Sequence, residues 1–142
     1  MKRVFLILAA IIGFGISTNA QLTNVQSRSG NWFVYNSKGK QVTSGRAEQV
    51  GDWYNVQSRG GNMSVYSSSG KKITTGRAEQ IGNWYNVQSN SGNWFVYNNK
   101  GRKITSGRAV KTSDDFYNVQ SRSGNWFVYN SRGKQVTSGR IE

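Results

Sequence analysis

The side chains that could carry catalysis are few in this 142-residue chain. Histidine and cysteine are absent, which excludes a Ser-His pair, a thiolate nucleophile and an ordinary zinc site. Glycoside hydrolysis needs two facing carboxylates, but Asp114 and Asp115 are adjacent and would point apart in an extended strand. Glu48 and Glu79 occupy equivalent positions of an internal repeat, so repetition of the unit explains this pair of carboxylates. The sequence therefore predicts a protein that is not an enzyme and that has no metal or cofactor.

Aromatic and carboxamide side chains instead recur at fixed offsets. The stretch that begins at Asn24 returns at Asn55, Asn86 and Asn118, at spacings of 31, 31 and 32 residues. A fixed period is typical of repeat proteins, in which each unit buries its apolar face against its neighbours. Alternation along the first strand of the unit puts an aromatic residue on the same face as the carboxamides. We predict that this face binds a ligand through Trp53, Trp84, Phe116, Gln57, Gln88 and Gln120.

A flat ring beside carboxamides is what a sugar-binding platform requires. The ring stacks on the apolar face of a pyranose, and the amides hydrogen-bond its hydroxyl groups. A second outward-facing set belongs to the next strand, where one repeat has Ser64 in place of phenylalanine, and its members are Phe33, Phe95 and Phe127. The alternative is that the sheet lies between layers, so that these rings are core and the amides satisfy backbone groups.

A Gly-Arg pair also recurs in all four repeats. Arginine can bind carboxylate, sulfate or phosphate in bidentate fashion, which makes candidates of Arg46, Arg77, Arg108 and Arg140. An acidic residue two positions later is the alternative partner in three repeats, as Glu48, Glu79 and Glu142. The third repeat has Val110 there, so Arg108 is predicted to lack that neighbour and to be the first arginine to test for a ligand.

The chain is strongly basic, with 19 Lys and Arg against 6 Asp and Glu and a formal net charge of +13. This charge favours a polyanionic partner, such as nucleic acid, acidic polysaccharide or the anionic surface of a bacterium. Solubility of an exported protein explains the same charge equally well.

The first twenty residues have the pattern of a secretory signal peptide. A basic start is followed by the apolar run from Val4 to Ile16 and by small residues up to Ala20. The run is shorter than the roughly 20 apolar residues that a membrane span requires. The sequence predicts a signal peptide over residues 1–20, cleavage after Ala20, and export to the periplasm or the exterior of a bacterium.

Glycine-containing turns divide each unit into three extended pieces, and Val, Ile, Thr and aromatic residues fill them. In the first unit the third piece runs from Gln41 to Val50 and is broken by Gly45-Arg46. The sequence predicts one all-β domain over residues 21–142, built from three-stranded repeats at 22–52, 53–83, 84–115 and 116–142. It is either closed, as a small propeller or barrel without exposed edges, or an extended antiparallel meander. Edge-to-edge homo-oligomerisation is a further possibility. The tract from Val110 to Asp115 is predicted to be a protruding loop.

The predicted core consists of the residues that change least between repeats, with the reservation that a bulge would reverse the faces after it. The inward set on the second strand is Val34, Val65, Val96 and Val128, with Trp32, Trp94 and Trp126. The inward set on the first strand is Val25, Val56, Val87 and Val119, with Tyr54, Tyr85 and Tyr117.

The segment from Trp32 to Lys40 carries a tryptophan, an apolar strand and then Gly-Lys. It resembles the short aromatic-glycine repeats of bacterial surface proteins, including WG-type repeats. The likeness covers this segment and its copies, whereas the period and the remaining residues differ, so it implies no function.

Together these features predict an exported binding module that engages a glycan or an anionic cell-envelope polymer through several similar sites. The first alternative is a structural or protein-interaction scaffold of the bacterial envelope, whose partner is another envelope protein. The second is nucleic-acid binding, because stacking on aromatic rings serves single strands equally well.

Overall fold

The computed structural model describes residues 21–142, so the predicted signal peptide lies outside the described residues. The described chain is all-β, as predicted, and contains no helix long and apolar enough to cross a membrane. Its strands are β1 (Thr23–Gln26), β2 (Trp32–Tyr35), β3 (Gln41–Ser44), β4 (Arg46–Val50), β5 (Trp53–Gln57), β6 (Met63–Ser67), β7 (Lys72–Thr75), β8 (Arg77–Ile81), β9 (Trp84–Gln88), β10 (Trp94–Asn98), β11 (Lys103–Ser106), β12 (Arg108–Lys111), β13 (Phe116–Gln120), β14 (Trp126–Asn130) and β15 (Gln135–Ser138).

Two recurring turns explain where the hairpin strands end. In the first, the amide of Ser27 donates to the carbonyl of Asn31 (2.8 Å) and the amide of Gly30 donates back to Ser27 (3.0 Å). Gly30 has a φ angle of +93°, which glycine adopts without the strain of a side chain. In the second turn, Oδ1 of Asn36 accepts a hydrogen bond from the amide of Lys40 (3.0 Å). Asparagine favours such turns because its side chain can replace a backbone acceptor.

The strands form four antiparallel sheets, and in each sheet hydrogen-bonded neighbours follow one another in the chain. They are sheet 1 (β1–β3), sheet 2 (β4–β7), sheet 3 (β8–β11) and sheet 4 (β12–β15). Among residues 21–142, no pairing joins the first strand of a sheet to its last, so each sheet is an open meander. The meander alternative therefore fits, and closure of a sheet into a barrel does not occur in the described chain.

The strand count per repeat differs from the prediction in one respect. The third predicted piece, from Gln41 to Val50, is two strands that belong to different sheets: β3 ends sheet 1, and β4 begins sheet 2. The same division occurs at Gly107, between β11 and β12. Sheets 2, 3 and 4 consequently have four strands instead of three, and each sheet takes its first strand from the end of the preceding repeat.

A glycine is required where the chain passes from one sheet to the next. Gly45 has a φ angle of +121°, and its amide donates to the carbonyl of Trp32 (2.9 Å). A Cβ atom at Gly45 would collide with the backbone carbonyl of Gln57. Gly107 repeats this arrangement, with a φ angle of +118° and a 2.9 Å hydrogen bond to the carbonyl of Trp94. The crossing glycine is thus hydrogen-bonded to the carbonyl of a tryptophan. It thereby places the next residue, an arginine, beside that tryptophan.

The described chain divides into two compact units, of which the first ends at Thr75 and the second is Gly76–Glu142. Within the first unit, the core between sheets 1 and 2 includes Leu22, Val34, Tyr54 and Val56. Within the second unit, the core between sheets 3 and 4 consists of Trp84, Val96, Ala109, Tyr117, Val119 and Tyr129. A single domain over residues 21–142 stays a prediction.

The valines and tyrosines predicted to face inward are buried, which confirms the core predicted for both strands. The buried valines are Val25, Val34, Val56, Val65, Val87, Val96, Val119 and Val128, and the tyrosines are Tyr54, Tyr85 and Tyr117. The tryptophans assigned to the same inward set are only half-buried, and they are Trp32, Trp94 and Trp126.

The tract predicted to protrude, Val110 to Asp115, is a loop only in its second part, because Val110 and Lys111 belong to β12. Residues 112–115 are exposed and belong to no strand. Lys111 Nζ lies 3.3 Å from Asp114 Oδ1, and the amide of Thr112 donates to the carbonyl of Phe116 (3.1 Å). The extra residue of this repeat is thus accommodated in an exposed loop, which leaves the β12–β13 register intact.

Candidate functional site

Two open clefts of nearly equal size lie at the same repeat positions, one in each compact unit. The Arg46 cleft lies between sheets 1 and 2 and has a volume of about 600 Å³. The Arg108 cleft lies between sheets 3 and 4 and has a volume of about 590 Å³. Both volumes fall in the range of about 300–1,000 Å³ that is typical of small-molecule sites. Their corresponding lining residues include Asn31 and Asn93, Trp32 and Trp94, Arg59 and Arg122.

Each cleft contains an arginine that lies over a tryptophan ring. The guanidinium carbon of Arg46 is 5.0 Å from the ring centroid of Trp32, and that of Arg108 is 4.7 Å from the ring centroid of Trp94. The crossing glycine produces this contact, because it fixes the arginine one residue after the hydrogen bond to the tryptophan carbonyl. At an exposed site, a cation–π contact of this kind contributes about 0.5–1 kcal/mol.

A second arginine and a glutamine complete each cleft from the neighbouring strand. Gln57 lies directly opposite Arg46 in the β4–β5 pair, and Gln120 lies directly opposite Arg108 in the β12–β13 pair. Each glutamine is exposed and is followed two residues later by the second arginine. A ring, two guanidinium groups and amide and hydroxyl groups therefore converge on one cleft. This donor set suits a ligand that carries both hydroxyl groups and a negative charge.

The two clefts differ in the ionic partner of their first arginine. Arg108 Nη2 lies 2.9 Å from Oε1 of Glu79, which belongs to the preceding repeat. The prediction that Arg108 lacks its own repeat's glutamate is correct, but this glutamate replaces it. Within residues 21–142, no carboxylate lies within ion-pair distance of Arg46.

The other two arginines of the Gly-Arg pairs, Arg77 and Arg140, line neither of these two clefts. Arg140 has the partner expected from sequence, Oε1 of Glu142 at 3.4 Å, and its guanidinium carbon lies 5.2 Å from the ring centroid of Trp126. Arg77 begins β8, is exposed, and has a partner of its own. Of the four arginines of the Gly-Arg pairs, Arg46 and Arg108 line the two clefts described above.

The outward placement predicted for the tryptophans of the first strand is wrong. Trp53 and Trp84 are only 3% and 2% exposed. The ring of Trp84 stacks on Tyr117, with centroids 3.9 Å apart and an angle of 11° between the planes, and it meets Tyr129 edge-on at 6.5 Å. Phe116 is half-buried. The two tryptophan rings are therefore buried, as the alternative interpretation required.

The asparagines of the same face bind backbone. In Asn86, Oδ1 accepts from the amide of Ala109 (2.8 Å) and Nδ2 donates to its carbonyl (2.9 Å), which joins β9 of sheet 3 to β12 of sheet 4. Asn24 makes the same two bonds to Ala47, at 2.7 and 2.8 Å. Asn118 makes them to Ile141, at 2.9 and 2.8 Å. Each of these three side-chain amides therefore pairs with a main-chain amide and carbonyl of a later segment, which is the backbone-satisfying role that the alternative interpretation gave to the amides.

The predicted glutamines and phenylalanines are placed differently from one another. Gln57, Gln88 and Gln120 are all exposed, and the first and last of them line the clefts. Phe33 and Phe95 also line the clefts, but strand alternation puts each ring on the opposite face from the preceding tryptophan. Phe127 packs against the core of the second unit. The tryptophan ring is the one that the first arginine of each cleft lies over.

Several lining residues were not among the predicted site residues, and the most important of them are Trp32, Trp94, Arg59 and Arg122. A signal for them exists in the repeats. Where a repeat has tryptophan on its second strand, the next repeat has arginine at the end of Gln-Ser-Arg; where it has Met63 instead, the next repeat has Asn90. The two residue types thus change together across neighbouring repeats.

Comparison with known proteins supplies no family. No protein-family model matches the chain, and no curated protein matches its sequence. Among solved structures, the crystal structure of BamB from Moraxella catarrhalis is similar to this chain, with a TM-score of 0.34 and 12% sequence identity. The match covers 89% of this chain and 49% of that one, so the chain spans about half the length of BamB. The likeness is too distant to carry an argument about function.

Proposed function

We propose that this protein is an exported, non-enzymatic binding module for an acidic polysaccharide, and that the Arg46 and Arg108 clefts are its binding sites. The observation that carries the proposal is the repeated combination of a tryptophan, two arginines and a glutamine around an open cleft. A tryptophan ring offers an apolar face to a pyranose. The guanidinium groups bind the carboxylate or sulfate of the same or the next sugar.

The proposal favours acidic polysaccharide over nucleic acid for two reasons. The leader sequence predicts export, which takes the protein away from most nucleic acid. Within each cleft, Gln, Asn and Ser side chains supply both donors and acceptors, which match the hydroxyl groups of a sugar. Nucleic acid stays an outcome of the binding experiment, because an arginine-tryptophan cleft can also hold a stacked base and its phosphate.

Repetition of the cleft suits a repetitive polymer. Two weak sites in one chain convert the second binding event into an intramolecular one, and overall affinity can then exceed that of a single site by about 10²–10⁴ if both sites engage. A polymer would be bound much more tightly than its short fragments. This gain does not require high affinity at either cleft.

A binding panel at two salt concentrations tests the proposal. Residues 21–142 are titrated with oligogalacturonate, neutral cellohexaose and single-stranded DNA, at roughly 50 and 200 mM salt, because charge-driven binding weakens steeply over that interval. We expect oligogalacturonate to bind, and to bind about tenfold more weakly at the higher salt. We expect cellohexaose to bind more weakly at both concentrations and to show little dependence on salt.

Other outcomes would contradict the proposal in distinguishable ways. DNA binding tighter than oligogalacturonate binding at both salt concentrations would replace the polysaccharide with a nucleic acid. Binding to none of the polymers would leave a structural scaffold whose partner is another protein. Export is tested separately, by the N-terminal sequence of the protein recovered from outside the cytoplasm, which should begin at Gln21.

A further inference from the structure

We propose, on the basis of the function above, that the two clefts are not equivalent, and that Glu79 is the residue that distinguishes them. The Arg46 cleft is the primary site for the anionic group of the ligand. The Arg108 cleft is its attenuated copy, because the carboxylate of Glu79 already occupies the guanidinium group that would bind the ligand. Glu79 is thus a specificity-determining residue of the second site.

The ion pair of Arg108 supports this difference directly. Glu79 Oε1 lies 2.9 Å from Arg108 Nη2, a short charge-assisted hydrogen bond. Both side chains are about half exposed, at 54% for Arg108 and 50% for Glu79, so the pair contributes little to stability. A ligand carboxylate can therefore displace Glu79, but it must compete with a neighbouring negative charge that stays in place.

The Arg46 cleft offers the same groups without that competitor. Arg46 lies over Trp32 as Arg108 lies over Trp94, and the second arginines, Arg59 and Arg122, line the two clefts equally. Within residues 21–142, no carboxylate pairs with Arg46. Its guanidinium edge is therefore open to a bidentate anion.

Another nearby cation does not compensate for Glu79. Lys103 Nζ lies 4.1 Å from the ring centroid of Phe95. Lys103 itself does not line the Arg108 cleft, so its ammonium group is not added to the donors there. The two clefts therefore differ in whether the guanidinium group of the first arginine is already paired with a carboxylate. Arg108 is paired with Glu79, and no carboxylate of residues 21–142 pairs with Arg46.

The experiment compares three charge-removing variants of residues 21–142 by calorimetric titration with oligogalacturonate at low salt. Arg46→Gln should weaken binding at least about tenfold, as expected when a desolvated charge pair is lost. Arg108→Gln should weaken it less than about threefold, because its guanidinium is already paired. Glu79→Gln should strengthen binding about three- to tenfold, since removal of one neighbouring charge is worth that much near a protein surface.

Glu142→Gln is the matched control. It removes the same charge from the same kind of Arg-Glu pair, the pair between Arg140 and Glu142, but outside both clefts. It should leave the affinity unchanged, which would separate a local effect of Glu79 from a general gain in positive charge. The double variant Glu79→Gln with Arg108→Gln should lose the gain of Glu79→Gln alone.

Two results would overturn the inference while leaving the proposed function intact. The first is equal loss of affinity in Arg46→Gln and Arg108→Gln. The second is a Glu79→Gln affinity that equals that of the wild type or of Glu142→Gln. Failure of the wild-type protein to bind oligogalacturonate at all would instead contradict the proposed function. Because all four residues are exposed, circular dichroism should show every variant folded.

Discussion

Replacing Trp84 with alanine is expected to destabilise the second unit by about 3–5 kcal/mol, the usual effect of removing a buried aromatic ring. The indole is 2% exposed and packs between Tyr117 and Tyr129. Alanine would leave a cavity at the centre of the core between sheets 3 and 4. Since a small domain is stable by only about 5–15 kcal/mol, much of its stability would be lost. Urea unfolding followed by tyrosine and tryptophan fluorescence measures this change.

Trp94→Ala is the matched control, because it removes the same side chain from the Arg108 cleft. Trp94 is half-buried, so we expect a loss of only roughly 1–2 kcal/mol from reduced apolar burial and the lost cation–π contact. The contrast separates a core tryptophan from a cleft tryptophan. A folded Trp84→Ala protein with unchanged stability would contradict the placement of this ring in the core.

The second large effect is expected for Asn86→Ala, at about 3–4 kcal/mol. The substitution removes two hydrogen bonds, each worth about 1 kcal/mol, and it leaves the amide and the carbonyl of Ala109 without partners. Asn86 is 1% exposed, so water does not readily replace the lost amide. The midpoint of urea unfolding reports the change.

Asn24→Ala provides the comparison for this prediction. Asn24 makes the same pair of bonds to Ala47, but it is only half-buried. Water can therefore reach the exposed partners, and we expect a loss of about 1–2 kcal/mol. An equal loss of unfolding free energy in the two variants would contradict the prediction. It would show that burial does not determine how much the paired hydrogen bonds of Asn86 and Asn24 stabilise the protein.

The sequence was sufficient to predict the fold class and most of the core. The repeat period, the glycine turns and the alternating β-branched residues predicted an all-β chain, and the valines of both strands and the tyrosines of the first strand are buried as predicted. It was harder to predict which side chains of two neighbouring strands lie on the same face of the sheet. Alternation within one strand separates its own two faces, but it does not show which of them matches a given face of the next strand. That requires the register, in which Asn86 lies opposite Val96. The face with Trp84 and Asn86 is therefore the face with the buried valine.

The location of the clefts could not be deduced from one repeat alone. Arg46 and Trp32 belong to different sheets, and they meet because the chain crosses between the sheets at Gly45. The sequence indicates a break at Gly45-Arg46, but it does not show that the two parts of the third piece belong to different sheets. The ion pair between Arg108 and Glu79 joins two neighbouring repeats. The spacing of residues within one repeat therefore could not show it. What the sequence did indicate was the residue types, namely arginine, glutamine and an aromatic ring.

The most direct test of the central claim is a calorimetric titration of oligogalacturonate into residues 21–142 and into the double variant Trp32→Ala with Trp94→Ala. Both tryptophans are only half-buried, so the variant should stay folded, as circular dichroism would verify. We predict that the wild-type protein binds and that the double variant binds at least about tenfold more weakly, since each stacking contact contributes roughly 1–3 kcal/mol in comparable ring platforms. Equal binding by the folded double variant would contradict the account.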